Sequence, residues 1–410
     1  MSQAADYAEE LRRAYAAFAA TAPPHEKAAL DELIERAHTQ AGEFLAGKRS
    51  HIEHPHLVMA WSMLHPGPQL ERSNMVEALT PYVDGHGGIW SNRTYEEMDP
   101  GWTEALIEFL KYRDDKAAIG TAPQVIAIPD VATLNLAGDW GTGYWRPGTG
   151  AERVAACIAK DRPDYSVHLG DVYYVGKQSE EVSHFVDCWP RGKSGAFALN
   201  SNHDMYAGAH AYFESTLAAG GPFDLQRGTS YFALYNKHWI VIALDSAYYS
   251  SPDDLYDRGA IDALQGALIG RLAPQFADRR IVILSHHGGF SLTGDETYPL
   301  WTQVTGTLGR VPDYWYWAHE HNAIAYKPRE NCRCRCLGHG AIPYGDARDL
   351  AGASAVDWYE TQAAKDELVP QRVLNGYVRI TLDGESLTEA FVGEDGCVRW
   401  SAANASSADQ

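Results

Sequence analysis

The feature that most constrains this chain is a repeated ending. From residue 123 short apolar runs alternate with helical stretches, and five of the runs stop on residues able to bind metals. "LNLAG" ends on Asp139, "SVHLG" on Asp171, "AFALNS" on Asn202 and His203, "IVILS" on His286, and "YWYWA" on His319 followed by His321. Short apolar runs between helices read as buried strands. Ligand sites gather at the carboxyl ends of such strands, so these polar endings are expected to converge. Any single ending is weak, because a carboxylate after glycine is usually a turn residue and a lone histidine is usually satisfied in a core. The ordered set differs: each member stands at an equivalent place, and together they offer oxygen and imidazole ligands enough for two metal ions.

Up to about residue 120 the texture is helical. "ADYAEELRRAYAAFAA", "PHEKAALDELIERAHTQAGEFLAG" and "MDPGWTEALIEFLKYR" are rich in helix formers; Pro24 sits near the start of the second and Gly47 just past its end. Further on, "AERVAACIAKD", "EEVSHFVDCW" and residues 260–276 read as helices, and "YFALYNKHWIVIALD" as a hairpin turning at Asn236 and Lys237. "RVLNGYVRITLDGESLTEAFVGEDGCVRW" reads as late strand pairs with glycine turns. The expected fold is α/β, two packed mixed β-sheets flanked by helices over residues 123–396, with an N-terminal helical region over 1–122 and a polar tail over 397–410.

The 410 residues, 45% hydrophobic, supply a substantial core. A net charge of -20 with no basic run argues against a nucleic-acid polymer as partner, although metal ions can invert an acidic local field for an anionic substrate. No apolar stretch reaches membrane-spanning length and the first residues mix charge throughout, so no membrane partner and a cytoplasmic location are expected. The six cysteines then read as reduced thiols. "CRCRC" reads as an alternating strand, with Arg333 and Arg335 outward and the thiols inward, rather than as a zinc site. His51, His54, His56 and His65 lack carboxylate or thiolate company at fixed spacing and are not assigned a metal. The sequons "NRT" and "NAS" carry no weight in a cytoplasm.

The blocks "GDWG" at 138–141, "GDVYY" at 170–174, "NHD" at 202–204, "SHH" at 285–287 and "AHEH" at 318–321 resemble, in order and type, the calcineurin-like metallophosphoesterase superfamily, and within it the purple acid phosphatase type. The resemblance spans about 180 residues and leaves out the region before residue 120. It implies a metallophosphoesterase sandwich with one metal held by Asp139, Asp171, Tyr174 and His321. The second would be held by Asp171, Asn202, His286 and His319, with Asp171 bridging and Tyr173 an alternative to Tyr174. His203 is implied as the catalytic group that bonds the phosphate or protonates the leaving oxygen.

The chain departs from the family pattern at Ser201 and Ala318, where glycine is usual, and at Gly288 or Gly289 in place of proline. "FSLTGDETY" lacks a further histidine, so His287 or Asp295 stands in reserve as a proton donor. Most of the superfamily carries Asp-x-His in the first block, whereas here Gly141 follows two after Asp139. A phenolate replacing that imidazole favours a harder ion, which implies Fe(III) paired with divalent Fe, Mn or Zn. Two such ions generate hydroxide near neutral pH and neutralise phosphoryl oxygens, so a small-molecule phosphate ester is expected as substrate, and the resemblance of Asp139-x-Gly141 with Tyr174 to the acid phosphatase type implies a phosphomonoesterase first. A phosphodiesterase acting on nucleotide-like or other diesters is second, and a non-catalytic scaffold third. The loops "GTGYWRPGTG", "MYAGAH", "SAYYSSPDDLYDRG" and "LGHGAIPYGDA" would choose among substrates. Oligomeric state is left open.

Overall fold

The computed structural model describes residues 3–48, 52, 54–65, 82–83, 89–90, 94–96, 99–343, 347–367, 369 and 372–402. His51, the asparagines of both sequons and the tail from residue 403 lie outside them. The runs rich in branched and aromatic residues form two sheets. In the six-stranded sheet, β4 (Val131–Ala137), β5 (Tyr165–His168) and β6 (Gly195–Ala198) run parallel. β14 (Gly376–Asp383), β15 (Ser386–Gly393) and β16 (Val398–Ser401) extend this sheet antiparallel beyond β4. The eight-stranded sheet runs in the order β13 (Val356–Tyr359), β11 (Ala323–Tyr326), β12 (Arg333–Leu337), β10 (Tyr314–Trp317), β9 (Arg280–Leu284), β8 (Trp239–Ala243), β7 (Phe232–Tyr235), β3 (Val125–Ala127). A two-stranded ribbon, β1 (Tyr82–Val83) with β2 (Ile89–Trp90), lies apart. β7 and β8 form the expected hairpin across Asn236 and Lys237.

Alternation sets what each sheet buries. Leu134, Leu136, Val167 and Phe197 face Leu234, Val241, Leu284 and Tyr316 across the space between the sheets. The outer face of the larger sheet is covered by α6 (Ala263–Gln275) and α7 (Pro299–Leu308), through Ile269, Leu272, Leu300 and Val304. α5 (Gly150–Asp161), capped by the Thr149 hydroxyl on the Glu152 N–H at 3.3 Å, covers the smaller one. This is an α/β fold of two mixed sheets flanked by helices.

The N-terminal helices α1 (Gln3–Thr21), α2 (Pro24–Leu45), α3 (Pro55–Leu64) and α4 (Thr103–Tyr112) are not a separate body. Their buried Leu11, Leu30, Leu57, Met59 and Leu106 join Val172, Tyr173 and Tyr206 in one continuous core. Among the described residues no helix is long and apolar enough to cross a membrane.

Two expectations change. The strand β16 occupies residues assigned to the polar tail, because Trp400 is buried against Phe391 at the inter-sheet core. Arg335 does not point outward: β12 lies inside the larger sheet and both its faces are covered. Cys332, Cys334 and Cys336 face the helix layer, while Arg335, with its side chain 5% exposed, meets Glu389 of β15 at 2.6 Å. Glu389 also accepts from the Tyr316 hydroxyl at 2.7 Å.

This bridge crosses the core and generates a test. Glu389→Ala strands a buried guanidinium and is expected to cost about 3–5 kcal/mol in denaturant unfolding, while the double change Arg335→Met with Glu389→Leu recovers most of it.

Candidate metal centre

β4, β5 and β6 of one sheet and β9 and β10 of the other end at one edge, and their polar endings meet there. The two edges touch: a Cβ on Gly138 would lie 2.2 Å from the Cβ of Ala318. Beyond these strands the backbone turns sharply, and Asp139, Asp171 and His319 hold left-handed conformations at φ 54°, 77° and 68°. Non-glycine residues in that region cluster at functional sites, because only a well-determined surrounding structure holds them there.

The side chains interlock. His321 Nε2 lies 3.4 Å from Asp139 Oδ1, and His286 Nε2 lies 3.4 Å from Asp171 Oδ1 and 2.8 Å from Asn202 Oδ1. His286 Nδ1 faces the Leu169 carbonyl at 2.8 Å, which fixes the ring so that Nε2 points at the cluster. The His319 N–H donates to Asp139 Oδ2 at 2.8 Å, and its ring meets Asp257 at 3.2 Å. His203 Nδ1 faces the Tyr174 carbonyl at 2.7 Å, leaving Nε2 3.9 Å from Asp171 Oδ2. Asp139, Asp171 and His286 offer ligand atoms within 4.8 Å of one another, and so do His286, His287 and His319.

The tyrosine differs from expectation. The hydroxyl of Tyr173, not Tyr174, enters the cluster, at 2.8 Å from Asp171, 3.0 Å from Asp139 and 3.0 Å from His321 Nε2. Backbone pairing explains it. Gly141 N–H donates to the Asp171 carbonyl and Tyr173 N–H to the Gly141 carbonyl, so both ends of residues 171–173 are held on Gly141 through an isolated bridge to Val172. Held in this way, the Asp171 and Tyr173 side chains fall on the same side, and the Tyr173 hydroxyl donates to the Asp171 carboxylate. The close approach needs glycine, since a Cβ on Gly141 would sit 2.5 Å from the Asp171 carbonyl oxygen. Tyr174 turns away to pack between Tyr95 and Trp102 and donates its hydroxyl to Asp99.

Burial, and then the charge of Asp171, push the Asp139 carboxyl well above the carboxylate range. Burial opposes ionisation of Asp171 as well, but the His203 and His286 imidazoles hold it well below. Burial lowers His286 to about 4 and His321 to about 3, so both rings offer neutral lone pairs. His319 is the exception: burial works against its charge, but the hydrogen bond and charge of Asp257 raise it to about 9.

Asp171 Oδ1 is buried with no hydrogen-bond partner among the described residues. A cation between the carboxylates would satisfy that oxygen and remove their repulsion, so the residues present fit a metal. Metal-ligating carboxylates and imidazoles brought together in this way are a possible metal site whatever the ion.

Of the reserve proton donors, His287 lies in the cluster with Nδ1 2.9 Å from the Ser246 hydroxyl, whereas Asp295 bonds Ser291 and Thr293 on the exposed loop. His339 packs on Phe391. Sequence reasoning missed Asp257, which has no periodic or motif signal in "LYDRG", and Tyr206, whose hydroxyl accepts from Asn202 Nδ2 at 3.2 Å and so aims Oδ1 at the cluster.

A cavity of about 470 Å³ opens on the cluster. Asp171, Asn202, His203, His319 and His321 line it from the strand ends, Asp254, Asp257 and Arg258 from the loop before α6, and Arg36, His54 and His56 from the N-terminal helices.

No protein-family model matches the chain, and no curated protein matches it significantly. Among solved structures it is similar to GAP50, described as the anchor in the inner membrane complex of Plasmodium, at 12% identity and TM-score 0.48 over 66% of this chain and 87% of that one. It is similar also to the calcineurin-like phosphoesterase YfkN from Bacillus subtilis, at 12% identity and TM-score 0.36 over 68% and 95%. Vacuolar Protein Sorting 29 from Cryptosporidium parvum aligns at 12% identity and TM-score 0.31 over 66% and 95%. Likeness this loose says nothing of chemistry, which is decided by the residues themselves.

The Asp257–His319 contact sets a pH dependence. A protonated His319 must release its proton to bind a cation, so divalent-ion affinity of the metal-free protein is expected to rise with pH from about 6.5 to about 9. Asp257→Asn removes the group that raises the His319 pKa and should flatten that slope in calorimetric titrations. An unchanged slope would count against it.

Proposed function

We propose that the chain is a dinuclear metal-dependent hydrolase of phosphate esters, acting first on small phosphomonoesters. The observation that carries this reading is the meeting, at one sheet edge, of Asp139, Asp171, Asn202, His286, His319 and His321 beside an unsatisfied carboxylate oxygen. One ion would be held by Asp139, Asp171, His321 and the phenol of Tyr173, and the other by Asp171, Asn202, His286 and His319. Bound there, the pair supplies positive charge to the phosphoryl oxygens and a nucleophile at neutral pH.

The chain's own groups do the rest. His203, anchored through Nδ1 on the Tyr174 carbonyl and packed on Trp102, presents Nε2 to the cavity, where it bonds the phosphoryl group or passes a proton to the leaving oxygen. Tyr206 holds the Asn202 amide in its ligating orientation. Burial and the charges of Asp139 and Asp171 hold the Tyr173 phenol well above its ordinary pKa, so only a strongly polarising ion would ionise it. That favours Fe(III) beside a divalent Fe, Mn or Zn ion. The cavity suits a small ester better than a polymer.

On an aryl phosphate, His203→Ala is expected to lower kcat by about 10²–10⁴-fold with metal content unchanged. If iron is present, the phenolate absorption vanishes in Tyr173→Phe and persists in Tyr174→Phe. Faster turnover of a bis-aryl phosphate would make the protein a diesterase, and a metal-free preparation with full activity would sink the reading.

A further inference from the structure

His56 is 4% exposed, and among the described residues its Nε2 has no hydrogen-bond partner. Buried polar atoms are almost always satisfied, so an orphan marks a ligand or strain. His56 also lines the cavity that Asp171, Asn202 and His203 line. One aromatic ring connects them: Tyr206 lies 5.5 Å from the His56 ring and 5.0 Å from the His203 ring, with its hydroxyl on Asn202. The imidazole is fixed in place. It stands in the first turn of α3, where Leu57, Val58, Met59 and Ala60 are fully buried, so its backbone cannot swing out without exposing core.

We propose that the N-terminal helices complete the active site, and that His56 donates a hydrogen bond from Nε2 to the bound phosphate ester. The inference rests on the phosphoesterase reading for its substrate but not for its geometry. A phosphoryl oxygen bound at the cluster supplies the acceptor that His56 lacks. Burial keeps the ring neutral, so it contributes one N–H and no charge. Arg36 lines the cavity from α2 on the exposed side, and among the described residues no ion pair holds its guanidinium. It is placed to draw in the anion.

The test uses the full chain loaded with metal. His56→Ala is expected to weaken calorimetric binding of inorganic phosphate, and to lower kcat/KM on an aryl phosphate, each about tenfold, with metal content and Tm close to wild type. Arg36→Ala should raise KM about threefold with kcat unchanged. Phosphate affinity and kcat/KM of His56→Ala within about twofold of wild type would overturn the proposal while leaving the phosphoesterase reading intact. A wild type that binds phosphate in a His56-dependent way yet hydrolyses no ester supports this proposal and fails that reading, and one that binds no phosphate overturns both. Should His56→Ala not fold, the ¹⁵N imidazole signal of wild-type His56 decides: movement on adding phosphate supports the contact, and none overturns it.

Discussion

Two carboxylates side by side, Asp139 at 0% and Asp171 at 1% exposure, are the constraint on which the rest depends. Neither can be ionised cheaply in a dry edge, and both together are worse. The surroundings divide the problem. Asp139 accepts from the His319 N–H and the Tyr173 hydroxyl, while Asp171 has the imidazoles of His203 and His286 near it and one oxygen with no partner. Every neighbour either lends a proton or offers a lone pair, and a metal cation suits all of them.

Holding those groups close requires backbone that few residues tolerate. Left-handed turns at Asp139, Asp171 and His319 cost of order 1–3 kcal/mol each, and they sit where the two sheets touch through Gly138 and Ala318. The shared inter-sheet core and the helix layers on either side offset that strain. The buried Arg335–Glu389 bridge ties the same sheets together farther in.

The strand ends were legible because an apolar run that stops on a carboxylate or imidazole betrays both its depth and its direction. Tyr173 was legible only as the alternative to Tyr174, since counting residues along "GDVYY" ignores the pairing with Gly141 that decides between them. Arg335 failed for a related reason: alternation tells which face a residue takes, but not whether a central strand has an exposed face at all. Asp257 and His56 reach the site through folding of distant segments. The first acts by meeting His319 and the second by packing on the Tyr206 ring, and no local pattern encodes either meeting.

The N-terminal helices bear on access as much as on stability. Leu57 and Met59 belong to the same core as Val172 and Tyr173, two residues that flank or enter the metal cluster. A cover that shares a core with the site it covers cannot lift as a rigid lid without exposing apolar area on both sides, at about 25 cal/mol for each Å². Among the cavity's lining residues Arg36 and Arg258 are exposed. The same packing dries the edge around Asp139 and Asp171, which strengthens every charge interaction there. The region that lies outside the five sequence blocks thus lines the cavity at the cluster and shares its core.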